Sequence, residues 1–198
     1  MEIFTLVTGI LYVILEIRQK SLMWLVGIVT SLAAMWVFFR QGLYASFGLN
    51  TYYLITAVIG LWQWGRDRRK LSFVEDRKAV SRTEDDVVHL NRLNKGIVLV
   101  SLLVLVAGTF ALAEVMEAFE NPMSWLDSFV AVLSAVATWW LVRSYLQQWM
   151  LWILANALSS VLCMSQGLWW MSALYLVYVL SSAIGYFHWR KCGVYVEP

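Results

Sequence analysis

The stretch that decides the fold is residues 148–156, which read Gln148-Trp149-Met150-Leu151-Trp152-Ile153-Leu154-Ala155-Asn156. It lies inside an apolar run that is too long and too hydrophobic for the surface helix of a soluble protein. On a helix, Trp149, Trp152 and Asn156 stand at i, i+3 and i+7 and therefore share one face. An amide at membrane depth is costly unless it has a partner or lines a cavity, and indole faces attract cationic rings. The sequence therefore predicts a membrane helix with a solute-binding face.

The composition of the whole chain is that of an integral membrane protein. Of its 198 residues, 61% are hydrophobic, whereas soluble domains average roughly 45–50% apolar residues. The N-terminus has no basic region and no small-residue cleavage site, so we interpret it as the first span and not as a signal peptide. Cys163 and Cys192 stand alone, without a CxxC or His/Cys cluster. We therefore expect no disulfide framework, no metal site and no cofactor.

Seven segments have about the length that a helix needs to cross the hydrocarbon, roughly 20 residues. All connections between them are short except residues 65–95, which carry a dense mixture of charges. The predicted fold class is an all-α integral membrane protein with spans at residues 2–17, 22–39, 44–64, 96–113, 127–142, 148–165 and 168–189.

The distribution of basic residues predicts the orientation. With seven spans, fourteen of the fifteen lysines and arginines fall on one side, and Arg40 alone falls on the other. Since basic loops stay in the cytoplasm, we expect a multi-pass protein of the inner (plasma) membrane with its N-terminus outside and its C-terminus inside. In the 65–95 segment six acidic residues interrupt nine basic ones. We interpret it as a solvated linker, with binding of anionic lipid or of a cytoplasmic enzyme as the alternative.

The chain contains an internal repeat with a spacing of 125 residues. Residues 2–66 align without a gap on residues 127–191, with 13 identities in 65 positions. These identities include Trp24 with Trp149 and Trp64 with Trp189. An ungapped match of this length is typical of a duplication.

The repeat predicts a 3+1+3 architecture of parallel three-helix bundles, as found among transporters whose site lies near mid-membrane between the repeats. The first repeat is residues 1–66, the second is residues 127–198, and residues 67–126 hold the charged segment, a linker helix and an outer loop. Trp152 aligns with Gly27, and Asn156 aligns with Ser31. A symmetric scaffold with an asymmetric lining indicates an asymmetric solute and not a water or ion pore.

The motifs of this chain resemble those of the PnuC-type vitamin transporters. The resemblance rests on Trp-x-x-Trp-x-x-x-Asn at 149–156, Gly-Leu-Tyr-Ala at 42–45, Trp-x-x-Gly at 24–27 and Gly-Leu-Trp-Gln-Trp at 60–64, together with Pro122, Trp125 and Asp127 at the start of the fifth span. It covers roughly residues 2–66 and 122–191.

The resemblance implies a SWEET-like fold, a homotrimer, and facilitated diffusion of nicotinamide riboside or thiamine. A cytoplasmic vitamin kinase would then trap the solute by phosphorylation. The substrate-binding residues that the resemblance implies are Trp149, Trp152 and Asn156, followed less firmly by Asn50, Tyr53, Tyr175 and Tyr178. We add Thr138 to these candidates, because it stands at a position where the family is expected to have a glutamine.

Three departures from the family pattern bear on the substrate. Leu25 follows Trp24 where nicotinamide riboside transporters often have proline, and Thr138 and Asn50 stand where glutamines are expected. Loss of two long amides weakens hydrogen bonding to a ribose or carboxamide. We therefore favour thiamine slightly, with nicotinamide riboside as the alternative.

Other interpretations of these residues stay open. The tryptophans could belong to an interfacial belt, and Asn156 could hold helices together. A SWEET-type sugar carrier is a rival of another solute class, and a structural subunit is a further one. A membrane enzyme would need a nucleophile–base pair or a ligand cluster at depth, and we identify no catalytic residue in the sequence. No acidic or basic residue falls in the middle of a span, so we expect transport without proton coupling. We expect no nucleic-acid partner.

Overall fold

The computed structural model describes residues 12–41, 44–78, 88–117 and 124–195. Five parts of the chain lie outside the described residues: 1–11 with the start of the first span, 42–43 of the connection after the second span, 79–87 of the charged segment, 118–123 of the outer connection, and 196–198. The statements below concern the described residues.

The described chain is mostly helical and holds seven helical segments. They are α1 (residues 12–17), α2 (Leu22–Gln41), α3 (Tyr44–Lys78), α4 (Lys95–Glu117), α5 (Ser124–Val142), α6 (Gln148–Ser165) and α7 (Trp169–Cys192). Their order matches the seven predicted spans, and α6 has the predicted bounds. In the described part of the chain, four helices (α4, α5 from Trp125, α6 and α7) are long and apolar enough to cross a membrane.

The charged segment is more structured than a solvated linker. The third span continues as one helix as far as Lys78, and Val88–Leu90 forms a strand, β1, whose three side chains are buried. This strand pairs in parallel with β2 (Gly193–Tyr195), which follows α7 directly. The expectation of a solvated linker is therefore wrong for residues 88–90, because backbone pairing and burial hold them in place.

The described chain divides into two compact units. The first comprises residues 1–90, 141–144 and 192–198, and the second comprises residues 91–140 and 145–191. The second unit thus contains α4 together with most of the predicted second repeat.

In the first unit, α2 packs on α3 through tryptophan against glycine. The indole of Trp24 lies so close to Gly60 that a Cβ added there would meet its ring atoms at 2.5–2.7 Å. Trp24 also makes an edge-to-face contact with Trp64, with ring centroids 5.1 Å apart. Both indoles are buried, so they form the centre of this helix pair.

The second unit uses the same contact between α6 and α7. The indole of Trp149 covers Gly185, where an added Cβ would meet its ring atoms at 2.5–2.6 Å. Trp149 meets Trp189 edge to face at 5.4 Å. Each of these residues lies 125 positions after its counterpart in the first unit.

The chain reversals before α2 and α6 also correspond. Gln19 and Ser144, again 125 positions apart, both have left-handed backbone conformations, with φ of 48° and 55°. The amide of Lys20 donates to the carbonyl of Leu15, and that of Tyr145 donates to the carbonyl of Trp140. A left-handed residue other than glycine is uncommon, so its recurrence at both reversals indicates one turn geometry used twice.

Helix α4 joins the second unit by packing against α5. The Trp140 Nε1 atom donates to Ser101 Oγ at 2.9 Å, and Gly108 lies against Val132. At the other end, Trp125 contacts Phe110 edge to face and donates to Glu117 Oε1 at 2.7 Å. Most other side chains of α4 are exposed, as expected for a helix that meets lipid.

Candidate solute site and the buried polar cluster

Helix α6 carries polar groups along one face at a spacing of four residues. Gln148, Trp152, Asn156 and Ser160 follow one another at i, i+4, i+8 and i+12, and residues four apart are neighbours on a helix surface. Gln148, Asn156 and Ser160 are buried, and Trp152 is half-buried. In a helix that is mostly apolar, this face is a candidate place for a polar solute to find hydrogen-bonding partners.

Trp152 has the features expected of a lining residue. Its Nε1 atom is buried and has no hydrogen-bond partner among the described residues. A buried donor without a partner costs about 1–3 kcal/mol, so a bound group that accepted this hydrogen bond would remove that cost. Asn156, one turn further along the helix, is 8% exposed.

Trp149 is placed differently from Trp152. Its indole is 1% exposed and is held between Gly185 and Trp189. Trp24 has the same surroundings in the first unit. The contacts of Trp149 are therefore those of a residue that packs two helices together. Its Nε1 atom also has no partner among the described residues.

The predicted tyrosines of α7 lie together. The Tyr175 and Tyr178 rings meet edge to face with centroids 6.3 Å apart, and both are half-buried. Their α7 is joined to α6 by Ser160, whose Oγ lies 2.7 Å from Ser172 Oγ. The structure therefore places the predicted residues of α6 and α7 in one compact unit.

The remaining predicted site residues are more scattered. Thr138 is in the second unit, but its hydroxyl donates to the carbonyl of Ser134 in its own helix at 2.8 Å. Asn50 and Tyr53 belong to the first unit, where Asn50 is half-buried and Tyr53 is 38% exposed next to Tyr52.

A second polar cluster, which the sequence did not indicate, is built around Gln19. Its side chain pairs with the backbone of His89 by two hydrogen bonds: Nε2 donates to the His89 carbonyl at 3.0 Å, and the His89 amide donates to Oε1 at 2.8 Å. Gln19 Nε2 also lies 3.3 Å from Ser144 Oγ. We call Gln19, Asp67, His89 and Ser144 the buried polar cluster, since each is at most 3% exposed. The one available signal was that Gln19 and Ser144 occupy equivalent repeat positions.

Within this cluster a serine, a histidine and an aspartate meet. Ser144 Oγ lies 2.9 Å from His89 Nε2, and Asp67 Oδ2 lies 4.0 Å from the same nitrogen. A hydrolytic triad needs the carboxylate at the other ring nitrogen and a nucleophile that substrate can reach. Here the carboxylate approaches the same nitrogen as Ser144, so the group lacks the arrangement of a triad. Its hydrogen bonds instead join chain segments that lie far apart in the sequence.

The environment of His89 keeps its imidazole neutral. Burial, and then the nearby positive charge of Arg68, lower the pKa of His89 to about 3. The Trp64 ring meets the imidazole edge to face at 5.7 Å. A neutral Nε2 can accept the hydrogen bond of the Ser144 hydroxyl, which fits the donation from Gln19 to the same oxygen.

Comparison with known proteins identifies the family to which this chain is similar. The chain matches the family described as nicotinamide mononucleotide transporter over residues 1–191. It is 26% identical to the nicotinamide riboside transporter PnuC of Escherichia coli (strain K12), across 86% of this chain and 77% of that protein. It is 24% identical to the protein of the same name from Haemophilus influenzae, across 93% and 76% of the two chains.

Structural comparison gives the same result. A crystal structure of the vitamin B3 transporter PnuC superposes with a TM-score of 0.61 at 25% identity, covering 95% of this chain and 79% of that one. The family match spans nearly the whole chain and includes the tryptophan–asparagine motif of α6. The resemblance expected from the motifs is confirmed: this chain belongs to the nicotinamide mononucleotide transporter family.

Proposed function

We propose that this protein carries nicotinamide riboside across the membrane by facilitated diffusion. The observation that carries the proposal is that two groups lie together on one face of α6. They are a half-buried indole, whose Nε1 atom has no partner among the described residues, and a buried carboxamide one turn away. An indole face attracts a cationic nicotinamide ring with an interaction free energy of about 0.5–2 kcal/mol. An amide can form hydrogen bonds with hydroxyl or carboxamide groups.

The relatives change our preference between the two vitamins. The similar transporters are named for nicotinamide riboside, and the similar crystal structure is named for vitamin B3. The slight preference for thiamine rested on Thr138 and Asn50 in place of glutamines, and nothing in these names supports it. Nicotinamide riboside, previously the alternative, is therefore our main proposal, and thiamine becomes the comparison solute.

A titration of the purified protein tests the solute and the site together. We expect wild type to bind nicotinamide riboside by isothermal calorimetry, and to bind thiamine and glucose more weakly. Trp152→Ala and Asn156→Ala should each weaken binding about tenfold or more, since one decade corresponds to about 1.4 kcal/mol. Leu154→Ala is the matched control, because Leu154 lies on the exposed side of the same helix.

Each outcome of this titration has a distinct meaning. Stronger binding of thiamine or glucose would overturn the proposed solute. Binding that survives both substitutions would move the site away from α6. A wild-type protein that binds none of the three would overturn the proposed function.

We also propose the 3+1+3 SWEET-like arrangement, with residues 1–66 and 127–198 as the parallel repeats. It is supported by the tryptophan–glycine contacts and the left-handed residues that recur at a spacing of 125. The N-out, C-in orientation rests on the basic residues, and a fluorescent protein fused to the C-terminus should fluoresce, as it does in the cytoplasm. The homotrimer rests on the family resemblance, and mass measurement in detergent tests it.

A further inference from the structure

Gln148 is a polar side chain for which the proposed site has no assigned use. It is the first residue of α6 and is 0% exposed. Neither its side-chain nitrogen nor its side-chain oxygen has a hydrogen-bond partner among the described residues. A buried amide with both atoms unpaired is expensive, so its presence indicates a partner that the described residues do not provide.

The position of Gln148 relates it to the solute-binding face. Gln148 precedes Trp152 by four residues, which places the two side chains one turn, or about 6 Å, apart along the helix. The Trp152 Nε1 atom is also buried without a partner. Gln148 and Trp152 are therefore neighbouring side chains on one helix face, and both carry polar atoms that lack a hydrogen-bond partner among the described residues.

The repeat indicates that the amide is not required for packing. The position equivalent to Gln148 in the first repeat is Met23, which is also 0% exposed. Methionine has about the length of glutamine and no strong polar group. A fully buried site of this kind thus accepts an apolar side chain, and the second repeat has a carboxamide there instead.

We propose that Gln148 is a further solute-contacting residue that recognises a primary carboxamide on the solute. Its side chain presents one donor and one acceptor side by side, which complement the acceptor and donor of a carboxamide in a pair of hydrogen bonds. A carboxylate in that place offers acceptors alone and would face the glutamine oxygen without a hydrogen. Gln148 thus supplies a long carboxamide side chain, which is missing at Thr138 and Asn50, where glutamines are expected. The inference rests on the proposed transport of nicotinamide riboside.

The test compares Gln148→Met with wild type by calorimetric titration with nicotinamide riboside and with its carboxylate analogue, nicotinic acid riboside. We expect the variant to bind nicotinamide riboside about tenfold more weakly and to lose most of the preference for the carboxamide. Its melting temperature without solute should stay the same or rise, because an unpaired buried amide is removed. Gln166→Met, at an exposed position at the other end of α6, should leave all three quantities unchanged.

Unchanged affinity and unchanged discrimination in Gln148→Met would overturn the inference while wild-type binding of nicotinamide riboside stands. Failure of wild type to bind nicotinamide riboside would overturn the proposed function and the inference with it. If Gln148→Met does not fold, Gln148→Asn keeps the carboxamide but retracts it by one methylene. It should then bind more weakly with discrimination retained, and full wild-type affinity in this variant would also overturn the inference.

Discussion

At the scale of single residues, the two tryptophan–glycine contacts show how a helix pair is closed. Gly60 and Gly185 are needed because an indole occupies the space that a side chain would fill. Their partners Trp24 and Trp149 are nearly fully buried. The rings cannot move aside without disturbing Trp64 and Trp189, the two residues that they meet edge to face.

A pair of glycine substitutions tests this closure. We expect Gly60→Ala and Gly185→Ala each to destabilise the protein by about 1–3 kcal/mol, as overpacking of a tight core does. Gly65→Ala is the matched control on α3, since no other atom lies within 4 Å of its added Cβ. Thermal unfolding in detergent measures the effect. Equal stability of all three variants would mean that the indoles have room to shift.

At the scale of elements, strand β1 is held by the buried polar cluster. Gln19 binds the His89 backbone on both sides, and the Ser144 hydroxyl lies against the imidazole. The charges nearest this imidazole are Asp67, 4.0 Å from its Nε2 atom, and Arg68, which disfavours its protonation. Residues 88–90, which the charge pattern placed in solvent, are therefore tied to the turn before α2, to α3 and to the turn after α5.

The lowered pKa of His89 gives the docking of β1 a pH dependence. The docked pKa of about 3 lies below the ordinary value of 6.5, so protonation favours the undocked strand. The stabilisation is complete above pH 6.5 and decreases as the pH falls from 6.5 towards 3. At pH 5 the loss is about 2 kcal/mol, from 1.36 kcal/mol per pH unit.

Hydrogen exchange at residues 88–90, corrected for intrinsic rates, measures this loss. We expect protection to decrease between pH 7.5 and pH 5 in wild type. His89→Gln, which cannot be protonated in this range, should show no such decrease. Protection that is independent of pH in wild type would show that the cluster accommodates the imidazolium, with Asp67 offsetting the cost of burial.

At the scale of the whole molecule, the predicted spans bear on how the proposed transport is driven, and we infer that it does not use a proton gradient. No acidic or basic side chain falls in the middle of a predicted span, and proton-driven carriers place ionisable groups in the pathway. Net uptake then requires that the solute be consumed inside. We infer that phosphorylation by a cytoplasmic kinase provides this consumption.

Transport assays in proteoliposomes separate facilitated diffusion from trapping of the solute by phosphorylation. We expect labelled nicotinamide riboside to reach the same concentration inside as outside, at a rate that a protonophore does not change. Addition of a nicotinamide riboside kinase and ATP to the lumen should convert this equilibration into accumulation. Accumulation in empty vesicles that the protonophore abolishes would contradict uncoupled transport.

The sequence by itself determined the membrane class, the helix order, the bounds of α6, the 125-residue repeat and the family motif. Each of these depends on local hydrophobicity or on a spacing that can be counted along the chain. It also indicated Trp149, Trp152 and Asn156 as candidate site residues, because residues at i, i+3 and i+7 share a helix face whatever the tertiary structure; their role in binding stays a prediction. The tertiary structure decided which of the two similar tryptophans, Trp149 or Trp152, packs on a glycine and which stays half-buried. It also brought together Gln19, His89 and Ser144, which lie 55 to 125 positions apart. Such polar pairings depend on which side chains the folded backbone leaves within about 3 Å of each other, and no periodicity in the sequence records that distance.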